Sequence, residues 1–245
     1  MGEIIAVLSG KGGTGKTSLC AGIATALAQA EPKVLCIDCD IGLRNLDIPL
    51  GLSDHPALSF TDVCSGNYTL DQATQHPDFP GLFFLTAPVN CGPEDIDREA
   101  FAAMLRLARN QFSYVFLDAP AGIDTGFRLC ADFADRVILV AGSDPASIRD
   151  AARTAELLEL MGKHRTRLIV NRISKKMYET LRLTVDDVMD EAGLPLLGIV
   201  PEDPEVTLSA AFRQPLLRRS KKGAAAACRR IAKRIQGLPV PIDIR

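Results

Sequence analysis

Residues 10–17 read Gly10-Lys11-Gly12-Gly13-Thr14-Gly15-Lys16-Thr17, just after the apolar run Ile4–Leu8 and at the start of a helical pattern from Thr17 to Ala30. Glycines at a strand-to-helix turn free backbone N–H groups to converge on an anion, and the helix N-terminus adds about half a positive charge. A lysine placed like Lys16 reaches terminal phosphates, and the hydroxyl after it can ligate magnesium. The stretch therefore predicts a phosphate-binding loop, with Ser18 extending the contacts into the helix.

A second lysine, Lys11, lies within this loop, five positions before Lys16. An ordinary loop of this type needs only the later lysine to contact the phosphates of its own nucleotide. A glycine-rich connection without a ligand is the structural alternative, and this combination of residue types disfavours it. Lys11 is the residue whose role the rest of the chain has to explain.

The length and composition are those of one domain with a sizeable core. The chain has 245 residues and 47% hydrophobic side chains, so residues 1–245 are expected to form a single domain. No apolar run approaches the about 18 residues of a membrane-spanning helix, and the first residues enter a strand without a signal peptide. Seven cysteines scattered among apolar segments favour a reducing compartment, so a cytoplasmic location is expected.

Charge is distributed unevenly along the chain. Residues 206–245 carry ten Lys or Arg against Asp243, a net charge of +9, which leaves −11 for residues 1–205 out of a total of −2. A last helix is predicted over 224–236, and two prolines in the tail after it preclude a further helix. This C-terminal basic segment (residues 206–245) is either a solvated surface or a site for an anionic partner such as membrane, nucleic acid or an acidic protein.

Short runs rich in apolar and β-branched residues recur along the chain and alternate with helical patterns. After Ile4–Leu8 they are Val34–Ile37, Leu82–Leu85, Tyr114–Leu117, Val137–Val140, Leu168–Val170 and Leu196–Val200, and the helices between them include Asp97–Asn110, Pro145–Met161 and Thr184–Ala192. This alternation predicts an α/β fold, a mostly parallel sheet with helices on both faces. In such sheets ligands bind beyond the carboxyl ends of the strands.

Carboxylates follow two of these runs. Asp38 and Asp40 come at the end of the second strand, and Asp118 ends the fourth, with Gly122 shortly after it. A carboxylate at the end of an apolar strand is costly unless it is paired, and hydrated magnesium is its natural partner beside a phosphate-binding loop. Turn chemistry alone is the structural alternative for Asp118. Gly122 would let the backbone approach a γ-phosphate.

Polar residues also follow the last two strands. Asn171 and Arg172 end one, and Pro201, Glu202 and Asp203 end the next. An Asn side chain offers a donor and an acceptor, which suits the edge of an adenine base, and a proline-stiffened loop can offer backbone groups to the same base. Each signal is weak alone, and capping of the strand end is an equally good explanation for Asn171.

These motifs together resemble the MinD/ParA family of ATPases. Lys11 within the loop is similar to the deviant Walker motif of that family, and Asp38-Cys39-Asp40-Ile41-Gly42-Leu43-Arg44-Asn45-Leu46-Asp47 resembles the MinD branch in particular. Further segments resemble MinD in the expected order, namely Asp118–Ile123, Ile148-Arg149-Asp150 and Gly198–Asp203. The resemblance runs over most of the chain and implies a single-domain P-loop NTPase.

The resemblance implies an ATPase that binds ATP and Mg²⁺, forms an ATP-dependent homodimer and hydrolyses ATP slowly without an activator. Lys11 would reach across the dimer to the partner's nucleotide, and Asp40 would orient the attacking water. The remaining implied contacts are Thr17, Asp38, Asp40 and Asp118 with magnesium, Asn45 with the γ-phosphate, and Asn171 with residues 201–203 around adenine. Implied partners are a division inhibitor and an ATPase-activating protein that contact the helix surface around Ile148-Arg149-Asp150, and the implied role is division-site selection.

The C-terminal region departs from the family pattern, in which a flexible linker and a short amphipathic helix bind membrane. Here the apolar stripe of the last helix is small and typical of a helix docked on a sheet; it comprises Ala224, Ala227, Cys228, Ile231 and Ile235. We expect at most weak contact of the basic segment with anionic lipid, peripheral at the inner face of the cell membrane.

Three related functions remain as alternatives. A ParA-type ATPase would bind DNA through basic residues, which we consider the less favoured role of the basic segment, and a flagellar-number regulator is a close neighbour that sequence separates poorly. An iron–sulfur carrier would need clustered thiols. Cys36 and Cys39 form a C-x-x-C pattern, but on a continuing strand they point to opposite faces, which is poor geometry for shared ligation.

Overall fold

A computed structural model describes residues 1–30, 32–174 and 185–242 of the protein. Within them one sheet of eight strands runs through the molecule. The strands are β1 (Glu3–Leu8), β2 (Val34–Asp38), β3 (Thr74–Gln75), β4 (Leu82–Leu85), β5 (Tyr114–Asp118), β6 (Arg136–Gly142), β7 (Thr166–Ile173) and β8 (Leu196–Pro201). Their order is β3-β4-β2-β5-β1-β6-β7-β8, and every pairing is parallel except that of the edge strand β3 with β4. The predicted mostly parallel sheet is confirmed.

Helices cover both faces of the sheet. They are α1 (Lys16–Ala28), α2 (Asp47–Leu50), α3 (Phe60–Cys64), α4 (Arg98–Gln111), α5 (Thr125–Phe133), α6 (Pro145–Leu160), α7 (Val185–Ala192), α8 (Pro204–Ala211), α9 (Leu216–Arg219) and α10 (Gly223–Ile235). The helices α3 to α7 pack on one face, and α1, α2, α9 and α10 pack on the other. No helix of the described ranges is long and apolar enough to cross a membrane.

The strands are apolar at successive positions because both faces are covered. In β1, Ile4, Ala6 and Leu8 belong to the core under α3–α7, whereas Ile5 and Val7 belong to the core under α1 and α10. All five side chains are buried. Such near-continuous apolar strands are typical of parallel sheets, and they place the carboxyl ends of β1, β2 and β5 side by side at one edge.

The helix α1 is buried on nearly all sides, and its small residues allow α10 to approach closely. A Cβ atom built on Gly22 would lie 2.8 Å from the Cys228 sulfur, so only glycine fits the present spacing. The predicted docking of the last helix is confirmed, because Ala224, Ala227, Cys228, Ile231 and Ile235 are all buried.

The predicted helices were placed to within two residues at each end that the structure describes. Asp97, predicted as the first residue of α4, is instead its cap and accepts hydrogen bonds from the N–H groups of Glu99 and Ala100. The predicted start of α7, Thr184, lies outside the described residues. The antiparallel β3 and the helices α2, α3, α5, α8 and α9 were not predicted, since most of them are too short to develop a clear hydrophobic period.

Candidate functional site

The glycine-rich loop joins the carboxyl end of β1 to the first turn of α1, with β5 and β6 on either side of β1. Gly13 and Gly15 have positive φ values of 80° and 87°, a conformation that other L-residues adopt only with strain. The loop thus turns back on itself and presents backbone N–H groups above the N-terminus of α1, which is the geometry of an anion site.

Asn171 supports this loop from β7. Its side-chain Nδ2 donates a hydrogen bond of 2.8 Å to the carbonyl oxygen of Thr14 and is buried. A Cβ atom on Gly15 would lie 2.3 Å from the same Nδ2. Asn171, predicted as an adenine contact, is therefore also a brace for the loop, and the glycine at position 15 is required by the brace as well as by its φ value.

Replacing Gly15 with Ala is expected to destabilise the loop more than the same change at Gly13. Both substitutions place a side chain at positive φ, which costs about 1–2 kcal/mol. Only the change at Gly15 also forces a methyl group into Asn171, since nothing lies within 4 Å of a Cβ on Gly13. We expect a further loss of about 1–3 kcal/mol in the free energy of unfolding for Gly15→Ala, measured by urea denaturation. Equal losses for the two variants would contradict the brace.

Lys16 is buried at the centre of the site and faces Asp118. Its Nζ lies 3.0 Å from Asp118 Oδ1 and 3.3 Å from Thr17 Oγ1, and both partners in the ion pair are almost fully buried. Burial would lower the pKa of Lys16, but the Asp118 carboxylate outweighs burial and holds the pKa above its usual value. Lys16 is therefore charged and positioned beside the loop.

Three observations fit a hydrated magnesium ion and a nucleotide at this point. Asp118 Oδ2 is buried without a hydrogen-bond partner in the described chain, and so is Thr14 Oγ1. The Thr17 hydroxyl lies within reach of Lys16. Buried polar atoms are rarely left unpaired unless a ligand, water or ion completes them. No group of three or more His, Cys, Asp or Glu forms a metal site among the residues described, so magnesium would need the oxygen atoms of a nucleotide.

Asp38 lies beside Asp118 in the sheet and shapes the loop that follows it. Its two carboxylate oxygens accept hydrogen bonds from the N–H groups of Asp40 (2.9 Å) and Leu46 (3.1 Å). Burial raises the pKa of Asp38 to about 6. In this structure Asp38 thus positions the loop 38–46, and its predicted contact with the magnesium shell stays a prediction.

Asp40, predicted to orient the attacking water, and Asn45 and Gly122, predicted near the γ-phosphate, follow strands that end at the same edge. Asp40 is half-buried, and burial raises its pKa while Lys16 opposes this rise. Asn45 is exposed in the loop that Asp38 shapes. Gly122 has a φ of 94°, and its N–H donates to the carbonyl oxygen of Ser9, just before the glycine-rich loop. The structure therefore brings Asp40 and Gly122 to the loop region, and leaves Asn45 facing solvent.

A pocket of about 770 Å³ adjoins the glycine-rich loop. The predicted residues that line it are Gly15, Ser18, Asn171, Arg172, Pro201, Glu202 and Asp203. The far wall, which sequence reasoning missed, comes from Val206, Thr207, Leu216, Ala224 and Cys228. The only signal for it was the docked character of the last helix. The pocket is large enough for a nucleoside, so residues predicted around a base share one cavity.

Asp203 holds the helices of this wall together. Its carboxylate accepts hydrogen bonds from the N–H of Glu205 (3.0 Å), in the first turn of α8, and from the N–H of Ala224 (2.9 Å), in the first turn of α10. Gly223, at a φ of 54°, could not carry a side chain there, because a Cβ would meet the Asp203 carboxylate at 2.2 Å. Asp203 therefore positions the wall of the pocket.

Lys11 points away from Lys16 and its partners. Its Nζ lies 3.2 Å from Asp144 Oδ1 and 4.0 Å from Asp150 Oδ2, and its side chain is 37% exposed. Asp144 also accepts a hydrogen bond from the N–H of Ser147 and so caps α6. Sequence reasoning missed this contact, although the Asp144-Pro145 pair at the start of a helix was a signal for a cap. The two lysines of the loop thus contact different parts of the molecule: Lys16 contacts Asp118, whereas Lys11 contacts Asp144 and Asp150.

The thiols of the C-x-x-C pattern lie on opposite faces of the sheet. Cys36 belongs to the core under α1 and α10, and Cys39 to the core under α3–α7. Both are fully buried. This geometry agrees with the expectation that the two thiols do not share a cluster.

Comparison with known proteins yields a consistent set of relatives. A model of the CobQ/CobB/MinD/ParA nucleotide binding domain matches residues 5–216. The septum site-determining protein MinD of Synechocystis sp. is 36% identical over 244 residues, 98% of this chain and 92% of that protein.

Two solved structures share the fold closely. MinD in a MinC:MinD cell division protein complex of Aquifex aeolicus superposes with a TM-score of 0.90 at 36% identity, covering 98% of each chain. The septum site-determining protein MinD of Pyrococcus horikoshii OT3, complexed with Mg-ADP, has a TM-score of 0.82 at 25% identity, covering 96% of each chain.

Proposed function

This chain belongs to the CobQ/CobB/MinD/ParA family of nucleotide-binding domains, and on that premise we propose that it is an Mg-ATP-dependent, dimerising ATPase that acts as a spatial switch in bacterial division-site placement. The observation that carries the proposal is the separation of the two loop lysines. Lys16 is buried against Asp118, whereas Lys11 is partly exposed on the rim. This separation supports a role of Lys16 toward the chain's own nucleotide and of Lys11 toward that of a second molecule.

Nucleotide binding rests on residues that are already in place. The N–H groups of the loop and the Lys16 ammonium would hold the phosphates, and the pocket of Asn171 and residues 201–203 would hold the base. Thr17 and Asp118 would hold magnesium, which supplies charge neutralisation at the transferring phosphate. The unpaired Asp118 Oδ2 supports this assignment. Asp38 would contribute through the loop that it shapes.

Hydrolysis would use Asp40 to orient the attacking water. Asp40 is half-buried, close enough to Lys16 for the ammonium to affect its pKa, and its backbone is fixed by the hydrogen bond to Asp38. Phosphoryl transfer needs mainly positioning and charge neutralisation. In a single copy Lys11 pairs with Asp144 and not with the nucleotide site. We therefore expect slow ATP hydrolysis until a second copy supplies its Lys11.

Dimerisation would release Lys11 from its present partners. The ion pair with Asp144 is partly exposed, and such pairs contribute only about 0–1 kcal/mol. Breaking this ion pair therefore costs little free energy compared with what Lys11 would gain from contact with a nucleotide phosphate. Two apolar side chains near the same edge, Leu43 at 69% and Ile123 at 50% exposure, support burial against a second copy.

The division role and its partners follow from the relatives. The MinC:MinD cell division protein complex of Aquifex aeolicus supports a division inhibitor as a partner of this chain. We propose in addition that it binds an ATPase-activating protein. On the proposed contact helix α6, Ile148 is buried in the core, while Arg149 is exposed. The partner contact would therefore fall to Arg149 and its exposed neighbours.

The C-terminal basic segment offers fewer free charges than the sequence suggests. Three of its arginines form ion pairs with acidic residues, namely Arg213 with Asp54, Arg218 with Asp78 and Arg219 with Glu205. We therefore propose only weak contact of this segment with anionic membrane, through cations such as Lys221, Lys222 and Lys233. Binding of DNA, as in a ParA-type ATPase, is the less favoured role.

The proposal is tested by the size and activity of the unaltered protein. With Mg-ATP we expect a dimer by multi-angle light scattering, and with Mg-ADP a monomer. Hydrolysis per molecule should rise with protein concentration over the range in which the dimer forms, because the active unit contains two copies. A monomer in both nucleotides, with turnover independent of concentration, would contradict the proposal.

A further inference from the structure

A second pocket, of about 430 Å³, opens at the amino ends of β6, β7 and β8, the edge of the sheet opposite the glycine-rich loop. Its charged lining consists of Arg136, Arg165, Arg167 and Arg234, and His164 and Leu238 also contribute. Among the described residues that line it, none is acidic. We name it the amino-edge pocket.

Arginines lie at the amino ends of β6 and β7, next to the apolar face of these strands that packs under α1 and α10. Successive side chains of a strand alternate between faces, so Arg136 shares a face with Ile138, and Arg167 with Ile169. Those two isoleucines are buried in the core under α1 and α10. The helix α10 ends at Ile235, whose carbonyl oxygen accepts a hydrogen bond from Arg136. Beyond this point no helix covers the sheet within the described chain, and the pocket forms there.

The positive charges of the pocket exceed their partners. Glu3 pairs with Arg136 at 3.0 Å and with Arg165 at 2.8 Å. Arg234 donates to the carbonyl oxygens of Leu197 (2.9 Å), Val240 (3.0 Å) and Pro241 (2.5 Å), which are neutral acceptors. One carboxylate thus pairs with two of the four guanidinium groups.

Two further observations indicate that the positive charge of the pocket is not neutralised within the described chain. The Arg167 side chain is exposed and has no hydrogen bond or ion pair to any part of the chain that the structure describes. Burial, and then the neighbouring Arg230, lower the pKa of Arg234. Arg230 lies outside the pocket lining, so the positive charge around Arg234 extends beyond the pocket, and an anion bound there would be attracted to it.

We propose that the amino-edge pocket binds a phosphate group, either free phosphate or the phosphate of a lipid headgroup. The planar guanidinium presents paired N–H donors that match two oxygens of a phosphate, and the exposed Arg165 and Arg167 offer such donors at the pocket. Arg136 and Arg234, whose N–H groups bond Glu3 and backbone carbonyl oxygens, add positive charge to its wall. Leu238 lines the same pocket and is 50% exposed, which gives the site an apolar side suited to the glycerol or acyl part of a lipid. This site goes beyond the proposed ATPase, because Arg165 and Arg167 belong neither to the nucleotide site nor to the C-terminal basic segment.

The test uses the double variant Arg165→Gln/Arg167→Gln of the full chain. These two arginines are exposed, whereas Arg136 and Arg234 bond the backbone and are left in place. The matched control is the double variant Arg106→Gln/Arg128→Gln, which removes two exposed arginines, one from α4 and one from α5. All measurements are made with saturating Mg-ADP, so that the glycine-rich loop is filled. Inorganic phosphate is titrated by NMR of the arginine side-chain N–H signals, and binding to vesicles of phosphatidylglycerol or phosphatidylcholine is measured by sedimentation.

The expected result is saturable binding of at least one phosphate source by the unaltered protein and by the control Arg106→Gln/Arg128→Gln. For phosphatidylglycerol vesicles the variant Arg165→Gln/Arg167→Gln should bind about thirtyfold more weakly, the usual effect of two cations near an anionic surface. Loss in the phosphate arm alone identifies a soluble ligand, and loss in the vesicle arm identifies a lipid. Equal binding by all three proteins, or none by any, overturns the proposal. Tighter retention of duplex DNA than of vesicles, abolished in Arg165→Gln/Arg167→Gln, also overturns it.

Discussion

Replacing Lys16 with Ala is expected to weaken ATP binding by about thirtyfold to several thousandfold. Removing one partner of a buried charged contact typically costs about 2–5 kcal/mol of binding energy, and Lys16 is the buried ammonium of the loop. The measurement is the affinity for a fluorescent ATP analogue with and without magnesium. An unchanged affinity would contradict the assignment of the loop.

The same change leaves Asp118 as an uncompensated buried carboxylate, so it also lowers stability, by about 3–5 kcal/mol. Loss of binding could then reflect loss of the fold. The double variant Lys16→Gln/Asp118→Asn removes both charges of the pair, so neither residue is left as a buried ion without its partner. It should fold, as judged by circular dichroism, and still fail to bind ATP.

Replacing Lys11 with Ala is expected to preserve ATP binding by the monomer and to lower hydrolysis by about a thousandfold. Cations delivered to a phosphoryl-transfer site from a second molecule contribute about three to five orders of magnitude, and a slow ATPase belongs at the low end. Stability should change by less than about 1 kcal/mol, because the ion pair with Asp144 is exposed. The measurements are ATP affinity, steady-state hydrolysis and the mass of the protein with Mg-ATP.

The matched control for this change is Lys33→Ala, which removes an exposed lysine next to the amino end of β2. It alters net charge equally and should leave hydrolysis and dimerisation intact. If Lys11→Ala dimerised with ATP as readily as the control, Lys11 would have no role across an interface.

The nucleotide edge of the sheet could be predicted from sequence because its chemistry demands particular residue types. Closely spaced glycines, a lysine followed by a hydroxyl residue, and carboxylates at the ends of apolar runs can be recognised directly in the sequence. Their neighbourhood follows from the rule that parallel strands share one edge. The observed register of Asp38 beside Asp118 is a direct consequence. The roles of these residues toward ATP and magnesium stay predictions until they are measured.

The supporting contacts could not be predicted, because each joins residues far apart in the chain. Asn171 bonds Thr14 across 157 positions, and Lys11 bonds Asp144 across 133. The residues around Asn171 in the sequence do not show whether its amide supports the loop or contacts a base, since an amide group can do both. The wall of the base pocket from α10 was missed for the same reason. Packing of that helix on α1 depends on Gly22, because Cys228 lies directly against it. The sequence does not show which residue faces Gly22.

The central claim is that Lys11 of one copy acts on the nucleotide of the other, and mixing two inactive variants tests it directly. Lys11→Ala retains Asp40, and Asp40→Ala retains Lys11. At protein concentrations high enough to drive both variants fully into dimers, random pairing in an equal mixture completes one site in every four, so up to about a quarter of wild-type hydrolysis should return on mixing. Hydrolysis in the mixture no greater than the average of the two variants measured separately would contradict the account.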